Sequence, residues 1–494
     1  VTDVIIQKVD EVYVSVSCDK GIAYELSEFF TFFVPNFQFM PAYRDKRWDG
    51  KIRLYNIMTK RLYAGLVKYV EEFGKKYGYT VEYAYDRSAE EFSLVEAQEW
   101  IKKQNFPLEP RDYQVDTFVH AIRNRRALYL SATSSGKSFN MYMIMRKIAE
   151  RTLIIVPTVA LVHQMTSDFE EYGLDVERFV HKIHQGQGHC TNKPIVITTW
   201  QSVYRKRKDW FNRFKVVFGD EAHTFKAKAL TTLMEKLEDC PYRYGFTGTI
   251  DDTETHKLVL EGLFGPVKKV ISAKEMIDRG YSAEFSIKII CFDHREELRK
   301  AVSKVRVEGK NRRAPRYAEE MDLLVALPSR NRFIRNLTLS LKGNTLLLFH
   351  YVEKHGQHLY DMIHDKDSDR KVFFVHGGVD GTEREEIRKI VEKETDAIIV
   401  ASYGVFSTGV NIKNLNNIIF ASPSKAKIKI LQSIGRSLRK GDNLDLPGDS
   451  VLYDIADDAS WKSRQNFTLQ HLKERMKIYD AEGFDYKLYN VKLG

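Results

Sequence analysis

Ser131-Ala132-Thr133-Ser134-Ser135-Gly136-Lys137-Ser138 follows the apolar run Ala127-Leu128-Tyr129-Leu130 and precedes Phe139-Asn140-Met141-Tyr142-Met143-Ile144-Met145. That order predicts a buried strand, a tight turn and a helix start in direct succession. Such a turn aims a row of backbone N–H groups from the positive end of a helix, which suits a polyphosphate. Lys137 is then placed to reach the terminal phosphates and the Ser138 hydroxyl to hold Mg, with Ser134, Ser135 and Gly136 lining the turn. Ser131 stands where the full G-x-x-x-x-G-K-[ST] pattern has its first glycine. Because G-K-S also occurs by chance in an ordinary strand-turn-helix, the remaining chain decides the reading.

Downstream, Leu153-Ile154-Ile155-Val156-Pro157-Thr158 and Ile195-Val196-Ile197-Thr198-Thr199-Trp200-Gln201-Ser202 read as buried strands ending in polar residues. On a parallel sheet such ends face the ligand edge. Val216-Val217-Phe218-Gly219 then delivers two adjacent carboxylates, Asp220 and Glu221, ahead of Ala222-His223. Asp220 can hold the Mg that bridges phosphate oxygens, and Glu221 can orient an attacking water, since phosphoryl transfer asks mainly for positioning and charge stabilisation. Tyr244-Gly245-Phe246-Thr247-Gly248-Thr249 closes a further short strand with hydroxyls able to switch hydrogen bonds. Upstream, Arg111-Asp112-Tyr113-Gln114 follows a linker bracketed by Pro107 and Pro110. The Gln114 amide can pair with both edges of adenine, or serve only as the polar first turn of a helix.

A second strand-helix alternation begins at Asn344-Thr345-Leu346-Leu347-Leu348-Phe349 and repeats at Val372 to Gly377 and Ala397 to Ser402, predicting a second parallel sheet with no phosphate turn of its own. It is followed by Ser407-Thr408-Gly409-Val410-Asn411 and by Leu431-Gln432-Ser433-Ile434-Gly435-Arg436-Ser437-Leu438-Arg439. Helical spacing puts Gln432, Arg436 and Arg439 on one face. Arginines so placed could stabilise charge on the γ-phosphate when two lobes close, or form the solvated face of an amphipathic helix.

The first hundred residues carry no nucleotide signature. Phe29-Phe30-Thr31-Phe32-Phe33-Val34-Pro35-Asn36-Phe37-Gln38-Phe39 reads as core, and Tyr43-Arg44-Asp45-Lys46-Arg47-Trp48-Asp49-Gly50-Lys51-Ile52-Arg53-Leu54 as the better surface for nucleic acid. Bases stack on rings and phosphates pair with cations, but a solvated hairpin over a small α/β core explains the same residues equally well. A formal charge of +10 over 494 residues favours a polyanionic partner. Four scattered cysteines, Cys18, Cys190, Cys240 and Cys291, give no C-x-x-C pair, so neither a disulfide framework nor a zinc ribbon is indicated. His181, His184, His189 and Cys190 match no tetrahedral ligand spacing. With no signal peptide and no spanning apolar run, the expectation is a cytoplasmic protein without membrane contact. Between Glu296 and Arg335 the charge-dense piece Glu297 to Arg316, with Lys310-Asn311-Arg312-Arg313-Ala314-Pro315-Arg316, reads as an exposed insertion or mobile loop, solvated or in contact with nucleic acid, and Leu469, Leu472, Met476 and Tyr479 place a helix in the tail.

Taken together, Arg111 to Gln114, Ser131 to Ser138, Pro157-Thr158, Thr199 to Ser202, Asp220-Glu221-Ala222-His223, Thr247-Gly248-Thr249, Ser407 to Asn411 and Gln432-x-x-Gly435-Arg436-x-x-Arg439 resemble the ordered motifs of superfamily 2 helicases. Arg47-Trp48-Asp49-Gly50-Lys51-Ile52-Arg53-Leu54 and Val400 to Gly409 are similar to segments of the UvsW-type recombination and repair helicases of large tailed bacteriophages. The resemblance implies an α/β protein with two RecA-like parallel-sheet lobes, at 105–282 and 283–460, a small α/β domain at 1–104 and a helical tail at 461–494. It implies a DNA-stimulated ATPase that remodels branched DNA by fork regression, Holliday-junction migration, R-loop unwinding and annealing.

The resemblance further assigns Arg111, Gln114, Ser134, Ser135, Gly136, Lys137, Ser138, Gly409 and Asn411 to ATP, and Ser138 with Asp220 to Mg. Lys137, Asp220, Glu221, Gln432, Arg436 and Arg439 become catalytic, and Thr158, Thr199 and Gln201 become nucleic-acid contacts, beside Arg44, Arg47, Trp48, Lys51 and Arg53 from the basic-aromatic segment already read. Asn411 departs from the acid that many relatives place near the ribose. The implied partner is branched or duplex DNA, with RNA-DNA hybrids as a further substrate, for a monomer working beside recombination or single-strand-binding proteins in a host cytoplasm. Two other readings remain open here: a scaffold that binds ATP without hydrolysing it, and the motor subunit of a restriction or excision-repair complex.

Overall fold

The computed structural model describes residues 2–35, 37–184, 192–250, 254–282, 284–308, 316–366, 369–408, 414–422 and 450–493. Two compact units divide the chain, Val1–Ile271 and Ser272–Gly494.

The first unit opens with β1 (Val4–Lys8), β2 (Tyr13–Cys18), β3 (Thr31–Phe33), β4 (Lys51–Arg53), β5 (Arg61–Tyr63) and β6 (Val81–Tyr83). Of these, β5-β2-β1-β6 form one small sheet, and β3-β4 pair separately with Phe33 opposite Lys51. The strands β7 (Arg126–Ser131), β8 (Thr152–Val156), β9 (Val180–Ile183), β10 (Ile195–Thr199), β11 (Val216–Asp220), β12 (Tyr242–Thr247) and β13 (Val267–Ile271) make a seven-stranded sheet in the order β13-β7-β12-β11-β8-β10-β9. Every pairing in it is parallel. The period of two explains why these strands are apolar throughout: Leu153 and Ile155 enter one core, Ile154 and Val156 the other.

The small sheet is seated on one face of the large one. Val4, Ile6, Val14, Leu62 and Phe73 share a single core with Leu128, Leu153, Val217 and Phe264. Polar ties reinforce it: the hydroxyls of Tyr13 and Tyr63 donate to Glu235 Oε1 at 3.0 and 2.6 Å, and Arg126 Nη2 donates to the Glu11 carbonyl at 2.8 Å. The approach is so close at Gly65 that an added Cβ would lie 1.9 Å from the Glu261 carbonyl oxygen.

The second unit contains β14 (Phe285–Asp293), β15 (Thr345–Phe349), β16 (Val372–Val375), β17 (Ile398–Ser402), β18 (Asn417–Phe420), β19 (Ser450–Asp458) and β20 (Tyr486–Lys492), in the order β16-β17-β15-β18-β19-β14-β20 and all parallel. Leu346 and Leu348 face one core and Leu347 and Phe349 the other. The two expected parallel-sheet lobes and the small N-terminal α/β region are thus present.

Three expectations change. The aromatic run 29–39 splits: Phe30 is fully buried, whereas Phe33 and Phe39 are 54% and 69% exposed, because β3-β4 turns Phe32 and Ile52 toward the core and Phe33 away from it, and Phe39 ends the short helical turn 37–39, which buries nothing. Of the charge-dense piece Glu297 to Arg316, residues 297–308 belong to the helix Glu296–Glu308 and 309–315 lie outside the described residues; beyond it the helix Pro328–Ser340 buries Ile334 and the helix Arg316–Val325 buries Met321 and Leu324. Its Glu320 carboxylate accepts from Phe467 N and Thr468 N at 2.9 and 2.8 Å, capping the positive end of the helix Phe467–Glu482. That helix fulfils part of the tail's reading, but β20 follows it and extends the sheet beside β14, which offers an open edge. Among the described residues no helix is long and apolar enough to cross a membrane.

Candidate functional site

The turn after β7 is set by two left-handed residues, Ser134 at φ 69° and Gly136 at φ 79°, the latter capping the helix Lys137–Ile148. Glycine fits this conformation without strain. The turn is held from behind by the helix Asp112–Asn124: Gln114 Nε2 and the Tyr113 hydroxyl donate to the Ser135 carbonyl at 3.0 and 2.9 Å. Gln114 Oε1 accepts from Arg111 N at 2.9 Å, and Arg111 Nη1 donates to the Tyr113 hydroxyl at 2.8 Å. Gln114 is therefore a strut as well as a candidate adenine contact, with one amide hydrogen and one lone pair left over. Ser131 Oγ lies 2.6 Å from Ser135 Oγ, so the serine in the first glycine's place stiffens the turn. Tyr113 and this serine pair are contacts that spacing alone did not single out.

Asp220 ends β11 and is 8% exposed. Burial, then the neighbouring Glu221, raise its pKa to about 6, while Lys137 pulls in the opposite direction. A carboxylate removed from water and short of positive charge, with the Ser138 hydroxyl on the same nucleotide turn, is a hard-oxygen donor set that fits Mg. Ser138 Oγ stands 2.9 Å from the Tyr172 hydroxyl. Phosphate fits the same turn, since the backbone of Ser134 to Lys137 opens the first turn of a twelve-residue helix with Lys137 beside it.

Glu221 holds a left-handed φ of 47°, unusual for a residue with a side chain and an indication that its placement is enforced. Its carbonyl accepts from Thr224 N and Thr224 Oγ1, both at 2.9 Å. His223 Nδ1 lies 3.4 Å from Glu221 Oε2 and 3.0 Å from Thr247 Oγ1, which in turn donates to the Thr249 carbonyl at 2.8 Å. Glu221 is thereby wired through His223 to the hydroxyl that ends β12. The link to the turn is equally close: a Cβ added at Gly248 would lie 3.6 Å from Lys137 Nζ and 3.5 Å from Thr133 Oγ1. Arg111, Gln114, Ser134, Ser135, Gly136, Lys137, Ser138, Asp220 and Glu221 all belong to this unit. Gly409, Asn411, Gln432, Arg436 and Arg439 lie outside the described residues, as do His189 and Cys190.

The nucleic-acid candidates fall in two places. Thr158 follows β8 and Thr199 ends β10, adjacent parallel strands in register through Thr199 and Val156. Their hydroxyls already have local work: Thr158 Oγ1 accepts from Leu161 N at 3.3 Å and Thr199 Oγ1 meets Ser202 Oγ at 2.9 Å, while Gln201 is exposed. In the N-terminal region Arg47 pairs with Asp45, Arg53 with Asp49 at 2.5 Å, and Trp48 Nε1 donates to the Lys51 carbonyl at 2.8 Å. Arg44 and Lys51 have no ion-pair partner among the described residues.

Comparison with known proteins places this geometry among nucleic-acid motors. Family models match for the N-terminal domain of DNA helicase UvsW over residues 3–84, the res subunit of type III restriction enzymes over 107–252 and the helicase conserved C-terminal domain over 329–441. The chain is 31% identical to the ATP-dependent DNA helicase uvsW of Enterobacteria phage T4, covering 97% of this chain and 98% of that protein. It is 26% identical to the DNA 3'-5' translocase XPB2 of Sulfurisphaera tokodaii, over 71% of this chain and 83% of the relative. The crystal structure of T4 UvsW aligns over the whole of both chains with a TM-score of 0.52 at 30% identity. The type ISP restriction-modification enzyme LlaBIII bound to DNA shares the fold at 15% identity, with a TM-score of 0.55 over 78% of this chain and 32% of that one.

Proposed function

The chain belongs to the UvsW family of ATP-dependent DNA helicases, and from that premise we propose that it uses ATP hydrolysis to remodel branched DNA: regressing forks, migrating four-way junctions and unwinding or annealing strands. The observation that carries this reading is that one compact unit contains both the turn Ser131–Ser138 with Asp220 and Glu221 and, on a shared core, the basic and aromatic N-terminal region. A motor lobe fused to a DNA-reading element transmits movement to whatever DNA that element holds.

In the proposed reaction Ser134, Ser135 and Gly136 cradle the phosphates through backbone N–H groups, Lys137 neutralises their charge, and Gln114 with Arg111 borders the adenine. Ser138 and Asp220 hold Mg, which when bound supplies positive charge to the phosphate oxygens. Glu221 accepts a proton from the attacking water, and His223 with Thr247 passes its state to Thr249. In the same proposal Gly409 and Asn411 go to the nucleotide, with the Gln432 amide as a hydrogen-bond donor and Arg436 and Arg439 as positive charge for the transferring phosphoryl group. Arg44, Arg47, Trp48, Lys51, Arg53, Thr158, Thr199 and Gln201 contact DNA. Membership of an ATP-dependent helicase family sets aside the scaffold reading. The res-subunit match leaves the motor of a restriction complex as a second reading, but that match stops at 252 and the full-length likeness to UvsW does not.

The test is ATP turnover by wild type and Glu221→Gln with no DNA, single-stranded DNA, linear duplex, a four-way junction and an RNA-DNA hybrid. Strongest stimulation by the junction, lowered about 10²- to 10⁴-fold by the substitution, is the expected outcome. Equal stimulation by linear duplex and junction would refute the branched-DNA reading.

A further inference from the structure

The ring patch that the N-terminal core leaves uncovered has no role in ATP chemistry. Phe33, Phe39, Met40 and Tyr43 are 54%, 69%, 37% and 37% exposed within one short stretch. Several of these rings are buttressed: Phe33 stacks on Phe37 at 4.8 Å with Lys51 Nζ 4.9 Å from its centre, and Phe37 meets Tyr43 edge-on at 4.7 Å. Phe39, by contrast, has no ring or cation partner among the described residues. Exposed rings held in place beside unmatched charge are the composition of a binding surface rather than of a solvated loop.

Beside it lies an open recess of about 620 Å³ lined by Tyr43, Arg44, Lys46, Arg47, Trp48 and Asp49. That volume is on the scale of a small-ligand site. The acid that lines it, Asp49, is committed to Arg53 and to Lys51 N, and the neighbouring Asp45 to Arg47. Arg44, Lys46 and Lys51 have no ion-pair partner among the described residues, so residues 44–53, with five cations against two acids, leave positive charge facing solvent. Trp48 is oriented by its bond to the Lys51 carbonyl, which keeps its ring at the recess.

Duplex DNA keeps its base faces stacked inside and presents phosphates, which have no use for an exposed ring. An unpaired strand presents both, and binds where aromatic faces alternate with unmatched cations. We propose that Phe39 and the adjoining recess bind an unpaired nucleotide strand, with a base stacked on Phe39 and its flanking phosphates against Arg44 and Lys46. The inference rests on the DNA-helicase reading and adds the substrate class: single-stranded segments, as at a fork. Because this sheet shares its core with the ATP-binding sheet, a strand held there is fixed to that lobe.

The test is fluorescence anisotropy of the full chain with a labelled oligothymidine strand, a forked duplex and a blunt duplex. Phe39→Ala should raise Kd for the strand and the fork about 5- to 100-fold and leave the blunt duplex within about twofold. Phe39→Trp should restore strand binding, and Arg44→Ala should lower the salt dependence by roughly one released counterion. Unchanged strand affinity in Phe39→Ala, or an equal loss on blunt duplex, would overturn the site. Failure of the wild type to bind any of the three DNAs would instead overturn the DNA reading on which it rests.

Discussion

Asp457→Asn removes the negative charge from a fully enclosed cluster in the second unit. The Asp457 carboxylate accepts from Arg330 Nε at 2.9 and 3.2 Å and from Arg330 Nη2 at 3.0 Å, with His294 Nε2 also 2.9 Å away. Both Arg330 and Asp457 have no exposed side-chain surface. Burial by itself would raise the carboxyl pKa, yet the charge of Arg330 and the bonds from His294 and Arg330 outweigh it and leave the group well below the ordinary carboxylate range. Asparagine keeps the shape but leaves the guanidinium uncompensated in a dry site, which costs about 3–5 kcal/mol. At about 1.4 kcal/mol per decade, amide protection across β14 and β19 should fall by a hundredfold or more, read by hydrogen exchange of the full chain. Protection in β7 and β8 should not change.

The pH dependence has a definite sign. A depressed folded-state pKa gives stability that is present above the unfolded value of about 3.9 and lost as pH falls below it, so the gap between wild type and Asp457→Asn should close in acid. A loss of protection under tenfold at neutral pH, or a gap that widens on acidification, would refute the argument.

Gly136→Ala should raise the KM for ATP by about tenfold or more, because the left-handed φ is strained for alanine and the new Cβ would lie 2.3 Å from Gln114 Nε2, forcing that strut off the Ser135 carbonyl. Steady-state kinetics check this, and an unchanged KM would show that the turn tolerates another shape. Glu235→Ala removes the acceptor of the Tyr13 and Tyr63 hydroxyls at a cost of about 1.5–3 kcal/mol. Hydrogen exchange in β1, β2 and β5 should then accelerate about tenfold or more; unchanged exchange would assign the docking of the N-terminal sheet to its apolar core alone.

Local pattern carries a good deal of this molecule. The apolar runs before Ser131 and Asp220 name their strands because a sheet buried on both faces requires continuous hydrophobicity, and Gly136-Lys137-Ser138 marks the turn into a helix because glycine fits its left-handed backbone. The aromatic run 29–39 was less legible, since composition says nothing of whether a second layer exists to cover each ring. The charged piece that begins at Glu297 misled over 297–308 for a related reason: charge density does not separate a loop from a helix with a buried side, here at Val302.

The sequence by itself determined the strand periods, the tight turn from Ser131 to Ser138 and the order of the acid and hydroxyl motifs, each encoded within a few residues. Only the tertiary structure decided that the N-terminal sheet shares a core with the seven-stranded sheet whose strands end in Ser131 and Asp220, that Phe39 stands in solvent, and that Arg330 is neutralised by Asp457, 127 residues away. Burial and charge pairing depend on which distant surfaces meet, and that information is held by packing rather than by any short stretch of chain.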